Sequence, residues 1–215
     1  FSNAEFQMSR ALIVSFFVLT SAACVQGAKK VEFNVDLFCG WDGYYRPMEW
    51  TPAEVGIGSN LTEPFEGSFT LSAQQDGLNT MNVVHTFVLT PDEPLSLRLV
   101  SKFAFGVGEC EMTIRDKRGR TQWQHEINMW DFSTANRLLR VIQEEDLLVG
   151  VLGQSRFGLL RLPGDTICMS DRGQGKVYIG TKVTRMAPWD WTGFVSLDVL
   201  VLYDPEWGQL RSEQL

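Results

Sequence analysis

Apolar and polar positions alternate strictly where the chain first reads as folded. Val31, Phe33, Val35 and Leu37 are apolar, and Glu32, Asn34 and Asp36 lie between them. That period of two is the signature of a strand with one face buried. Strand-like pieces then recur at short spacing: Glu54 to Gly58, Gly67 to Gln75, Met81 to Leu89, Leu95 to Phe105, Cys110 to Arg115 and Thr121 to Met129. Ser59-Asn60, Asp76-Gly77, Thr90-Pro91-Asp92 and Lys117-Arg118-Gly119 punctuate them as turns. Seven or eight short strands with no competing helical period predict a mainly β chain, with an antiparallel β-sandwich of the immunoglobulin-like type over residues 31–132.

The pattern changes near Glu144. Ser133 to Gln143 reads as a helix, capped by Ser133 or Thr134 and carrying Leu138, Leu139, Val141 and Ile142 on a loose apolar face. Leu147 to Gly153 is a continuous apolar run, which suits a strand buried on both faces of a parallel sheet. Lys176 to Val183 and Leu197 to Tyr203 are further strands, and Gln209 to Leu215 reads as a nascent helix. Three such strands predict an α/β C-terminal part over 144–215, the truncated start of a flavodoxin-like domain. A strand followed by one helix cannot bury its own apolar surface, so Val199, Val201 and Leu210 are expected to be exposed.

Composition adds place rather than chemistry. Hydrophobic residues make up 44% and charged residues 21%, an ordinary globular balance. The net charge is −7 and no basic cluster occurs, which argues against a nucleic-acid partner. Met8-Ser9-Arg10, the apolar stretch from Ala11 to Val18, and the small or polar residues to Ala28 fit a secretory signal peptide over 8–28. Thr20, Ser21 and Gln26 make a permanent membrane helix the poorer reading, and Cys24 lacks the Leu expected three places before a lipidated cysteine. Export permits disulfides, and Cys39 and Cys110 suit either a bridge between strand ends or, with Cys168, free thiols.

The candidate binding residues are Trp41, Asp42, Tyr44, Tyr45, Arg46 and Trp50. Aromatic faces stack on sugar rings while Arg46 and Asp42 supply hydrogen bonds, although Trp50 equally suits a core plug and the glycines a turn. His85 and His125 each stand alone on a strand pattern, so no metal site is expected. Gly153-Gln154-Ser155-Arg156-Phe157 lacks the final glycine of a nucleophile elbow, and neither a dinucleotide fingerprint nor a phosphate-binding Gly-Lys-Ser/Thr occurs. No catalytic residue and no cofactor is expected within these 215 residues.

Two stretches carry a resemblance. Gly40-Trp41-Asp42-Gly43-Tyr44-Tyr45-Arg46-Pro47 with Trp50-Thr51-Pro52 resembles a phrase near the start of large exported bacterial proteins of the planctomycete type. Pro188-Trp189-Asp190-Trp191-Thr192-Gly193-Phe194 and Leu197 to Leu202 resemble the approach to a strand of glutamine-amidotransferase-like domains. The resemblance implies an N-terminal immunoglobulin-like sandwich followed by an amidotransferase-like domain in an envelope-facing, membrane-associated protein. The expected role is a non-catalytic exported interaction or scaffold module with a protein or glycan partner. The alternatives are a carbohydrate-binding sandwich working through Trp41, Tyr44, Tyr45 and Trp50, and a fragment of an amidotransferase-like enzyme with catalytic residues beyond Leu215.

Overall fold

Alternation along the chain translates directly into strands whose inward residues pack and whose outward residues meet water. The computed structural model describes residues 31–104, 109–128, 140–153, 158–169 and 173–210. The leader at 8–28, the helix-like residues 133–139, Ser155 and residues 211–215 lie outside the described residues. Glu32–Leu215 form one compact unit. Among the described residues the fold is mainly β, and no helix is long and apolar enough to cross a membrane.

In chain order the strands are β1 (Phe33–Cys39), β2 (Tyr44–Tyr45), β3 (Trp50–Ser59), β4 (Phe65–Gln74), β5 (Thr80–Leu89), β6 (Leu95–Lys102), β7 (Glu109–Asp116) and β8 (Thr121–Asn128). They are followed by β9 (Arg140–Val141), β10 (Leu147–Gly153), β11 (Thr166–Met169), β12 (Gly173–Lys182) and β13 (Val199–Tyr203). One antiparallel sheet has the order β1-β3-β6 and a second the order β5-β4-β7-β8. Leu37, Val55, Ile57, Leu97 and Leu99 are buried on the first sheet, and Phe69, Leu71, Phe87, Met112 and Ile114 on the second. Phe33 meets Phe65 edge-on at 5.3 Å, joining β1 to β4. All seven strands expected between 31 and 132 are present.

β3 begins at Trp50, earlier than its pattern predicts, and runs through Pro52. The ladder with β1 ends at Cys39↔Ala53, and the Pro52 carbonyl accepts from Gly40 N–H. The missing proline N–H therefore points beyond the last rung, where no partner strand needs it.

Residues 140–143 overturn the helix expected through Gln143. Arg140–Val141 is extended and pairs in parallel with Tyr44–Tyr45. Gly43 O accepts from Arg140 N, and Tyr45 O from Ile142 N, so strand pairing satisfies the backbone that a helical turn would otherwise have used. Gln209 closes a 3-10 turn, Trp207–Gln209, rather than opening a helix.

The C-terminal sheet has the order β11-β12-β10-β13. β10 lies parallel to both β12 and β13, and Leu148–Gly153 are buried, as the apolar run predicts. Val149, Val151, Val177 and Ile179 form the core of one face, with Val201 and Tyr203 packed against it. Short connections replace crossover helices among the described residues: 3-10 turns at Leu159–Arg161, Thr184–Met186 and Trp191–Phe194. Among the described residues β13 is an edge of this sheet, where Val199, Leu200 and Leu202 are exposed, while Val201 and Leu210, expected to be exposed, are half-buried.

Cys39 and Cys110 are free, buried thiols, and Cys168 is free and exposed. Burial pushes the Cys39 thiol far up, with the charge of Cys110 adding to the effect, and burial raises Cys110 to about 12. Iodoacetamide at pH 8 is therefore expected to alkylate Cys168 in the native chain and to spare Cys39 and Cys110 until urea is added. Peptide mass spectrometry reads this, and rapid native labelling of Cys39 would contradict it.

Candidate functional site

The segment from Gly40 to Trp50 owes its shape to backbone chemistry. Gly40 takes φ +67°, and a Cβ there would lie 2.1 Å from Tyr44 O, so only glycine fits. Asp42 and Gly43 both take positive φ, the requirement of a tight hairpin turn that Asp-Gly meets well. Trp41 and Tyr44 exchange both backbone hydrogen bonds at 3.0 Å across that turn. Trp41 and Tyr45 are thereby turned inward, while Asp42 sits at the exposed tip.

Trp41 is wholly buried. Its indole Nε1–H donates to Gly193 O at 3.3 Å, and its ring lies 5.7 Å from Phe194. β12 crosses close behind it, since a Cβ on Gly180 would stand 2.3 Å from Trp41 O. Lys182 Nζ lies 5.8 Å from the Trp41 ring centroid. Burial lowers the pKa of Lys182 from its usual 10.5, opposed by the charges of Glu54, Cys39 and Asp42.

Tyr45 is buried edge-on to Phe103, its hydroxyl donating to Ala104 O at 3.4 Å. Half-buried Tyr44 packs against Tyr178 at 5.4 Å, accepts from Arg140 Nη1 at 2.9 Å and lies under that guanidinium. Asp42 Oδ2 accepts from Thr181 Oγ1 at 3.4 Å. Trp50 is half-buried, with Lys102 Nζ 4.8 Å from its ring centroid.

Arg46 is the hub. Its Nη2 donates to Asp146 O at 2.7 Å and to Asp198 Oδ2, and the two charged side chains are each 10% exposed. The same Asp198 oxygen accepts from Leu148 N at 2.8 Å. Asp146 in turn accepts from Lys176 N with Oδ1 and from Gln143 N with Oδ2. One arginine therefore ties the hairpin after β1 to both the entry of β10 and the entry of β13.

The sequence grouped six residues as a binding surface. The structure brings them into one segment but turns Trp41, Tyr45 and Arg46 into the protein, leaving no free face on those three for a sugar to cover. Asp146, Asp198, Gly193 and Lys182, which complete the cluster, were not foreseen, because nothing in the local pattern near residues 140–200 announces a partner 100 or more positions earlier. His85 and His125 are both exposed, His125 beside Trp123 at 5.8 Å. Among the described residues no group of three His, Cys, Asp or Glu side chains could hold a metal ion.

The chain matches no protein-family model and no curated protein. Among solved structures it is similar to an alkylpurine DNA glycosylase, AlkC, from Pseudomonas fluorescens, bound to DNA containing an abasic site analogue, at 13% identity and a TM-score of 0.30. That similarity covers 47% of this chain and spans 31% of the length of the other. At that score it has no bearing on the fold or activity of this chain.

Two outcomes test the cluster. Arg46→Met leaves Asp198 buried without its cation and is expected to cost about 3–5 kcal/mol in urea unfolding. Adding Asp198→Leu to Arg46→Met should restore part of that loss; a neutral single variant would show the pair to be dispensable. For Lys182, the folded chain binds less proton than the unfolded chain between the lowered pKa and 10.5. Lys182 therefore contributes a rise in stability with pH across that window, set against the fall contributed by Cys39 and Cys110, which stay protonated in the folded chain after their unfolded counterparts ionise near 9.0. Unfolding at pH 8, 9 and 10 reads the net slope, which Lys182→Met should make more negative.

Proposed function

We propose that this chain is a non-catalytic interaction or scaffold module, the N-terminal part of a larger exported, envelope-associated protein. On this reading the two antiparallel sheets are an immunoglobulin-like sandwich, and β10 to β13 begin a flavodoxin-like, amidotransferase-like domain. The chain meets protein or glycan partners in the envelope, and it reaches the membrane through its leader segment or through sequence that follows.

The observation that carries this reading is the open side of the C-terminal sheet. Among the described residues β13 pairs only with β10, and it carries no charge from Val199 to Tyr203. Val199, Leu200 and Leu202 are exposed at 42%, 41% and 47%. These residues lie on both faces of the strand, as suits an interior position of a sheet covered on both sides. The parallel order of second, first and third strand (β12, β10, β13) agrees with the opening of a flavodoxin-like sheet.

An anionic naphthalene dye is expected to fluoresce on the wild-type chain and to lose that signal in Leu200→Lys/Leu202→Lys, with the melting temperature held within about 3 °C because both side chains are exposed. A dark wild type, or an unchanged double variant, would remove the open edge as an interaction surface. A phosphatase fused after Leu215 should be active on the outer side of the bacterial inner membrane; activity confined to the cytoplasm would sink the export half of the reading.

A further inference from the structure

A second surface stands apart from the 41–46 cluster and from β13. Among the described residues β5 pairs only with β4, and β6 only with β3, so each is an edge of its own sheet there. Between residues 81–85 of β5 and 98–100 of β6 a cleft of about 490 Å³ opens, walled on a third side by Trp189, Asp190 and Thr192. Its volume falls within the roughly 300–1,000 Å³ of small-ligand sites.

Most of the lining is apolar, with Val83, Val84, Leu99 and Val100 among it, and aromatic and polar side chains are set into that surface. Trp50 and Trp189 supply aromatic surface, Trp189 being half exposed. Asn82, His85, Arg98 and Asp190 supply side-chain donors and acceptors around it. Two of these are held in place before any ligand arrives. Asp190 Oδ1 accepts from Thr192 N at 2.8 Å, and Arg98 Nη2 donates to Arg185 O. Lys102 Nζ lies 4.8 Å from the Trp50 ring centroid, a cation–π contact on that ring. Pre-set side chains lower the ordering cost of binding.

We propose that this cleft binds a neutral oligosaccharide. The apolar C–H face of a pyranose stacks on indole, and its ring hydroxyls need both donors and acceptors at the rim. Arg98 and Asp190 give the lining one positive and one negative side chain, which gives an anionic sugar no net attraction. A peptide strand added along β5 or β6 is the rival occupant. The turn carrying Trp189 and Asp190 walls the cleft beside those edges, and only residues 98–100 of β6 line it, a short stretch for a strand ladder. The proposal rests on this cleft alone and does not depend on the reading of β13.

Calorimetric titration of the full chain with cellohexaose, chitohexaose, xylohexaose and mannohexaose tests it. At least one is expected to bind saturably with a Kd below about 1 mM. Trp189→Ala should weaken that binding by roughly tenfold or more, a loss of the size of one aromatic stacking contact. Asn82→Ala, an exposed strand position, should weaken it by severalfold, and Trp191→Ala, outside the cleft, should change it less than twofold. Circular dichroism must show each variant folded; if Trp189→Ala unfolds, Asn82→Ala against Trp191→Ala decides. No saturation with any of the four sugars overturns the proposal, as does binding that Asn82→Ala and Trp189→Ala leave unchanged. Saturable binding of the uncharged peptide acetyl-Thr-Val-Thr-Val-Thr-amide, with none of the four sugars, overturns it in favour of strand addition.

Discussion

Removing a guanidinium and a carboxylate from water costs several kcal/mol per ion, recovered only when the two meet with their remaining hydrogen bonds filled. Arg46 and Asp198 meet most of that condition because the chain supplies further partners at the same point, the Asp146 carbonyl for the guanidinium Nη2 and the Leu148 N–H for the carboxylate, while the buried Arg46 Nε has no hydrogen-bond partner among the described residues. The consequence is positional. The hairpin that follows β1, the start of β10 and the start of β13 are held at one spot, so the C-terminal sheet is referenced to the N-terminal strands by an interaction with strict geometry. Apolar packing by itself would permit sliding. A charged pair with directional partners does not.

The neighbouring contacts follow from that fixed point. Once Arg46 is seated, Trp41 is carried against Gly180 and the Trp191–Phe194 turn, where any side chain larger than hydrogen at residue 180 would collide with its backbone. Tyr44 and Tyr45 then lie beside Arg140–Val141, and two residues of parallel pairing suffice because the surrounding side chains already hold the strands together. Trp41 and Tyr45 of this segment are turned inside the fold, and Tyr44 and Trp50 are half-buried. That leaves the exposed tryptophans, Trp189 and Trp191 among them, to give the surface its character.

Much of the architecture was legible residue by residue. Alternation in Phe33–Cys39 and in the later strands carried through to pairing and burial, because a half-buried antiparallel strand imposes its period on the sequence. The uninterrupted run Leu147–Gly153 likewise became the central parallel strand. What escaped was non-local. Arg140–Val141 sits in a stretch with a helix-like apolar rhythm, and only a partner near residue 44 makes it a strand. The short β11, Thr166–Met169, has too few residues to show a period and is defined by its pairing with β12. The six grouped residues were found as a segment, but whether an aromatic side chain faces water or core is set by what packs on it. Here that was Gly193, Phe194 and Lys182, far along the chain.

The separation between those partners has a kinetic meaning. Trp41 with Gly193, and Arg46 with Asp198, are each 152 positions apart. Contacts that close loops of this length form late, since most of the chain entropy must be surrendered before they stabilise anything. During synthesis the early hairpin therefore emerges with a tryptophan and an arginine that have nothing to grip. β1 and β3 to β8 have their pairing partners within the first 128 residues, but the final side-chain arrangement of the hairpin waits for the last third of the polypeptide.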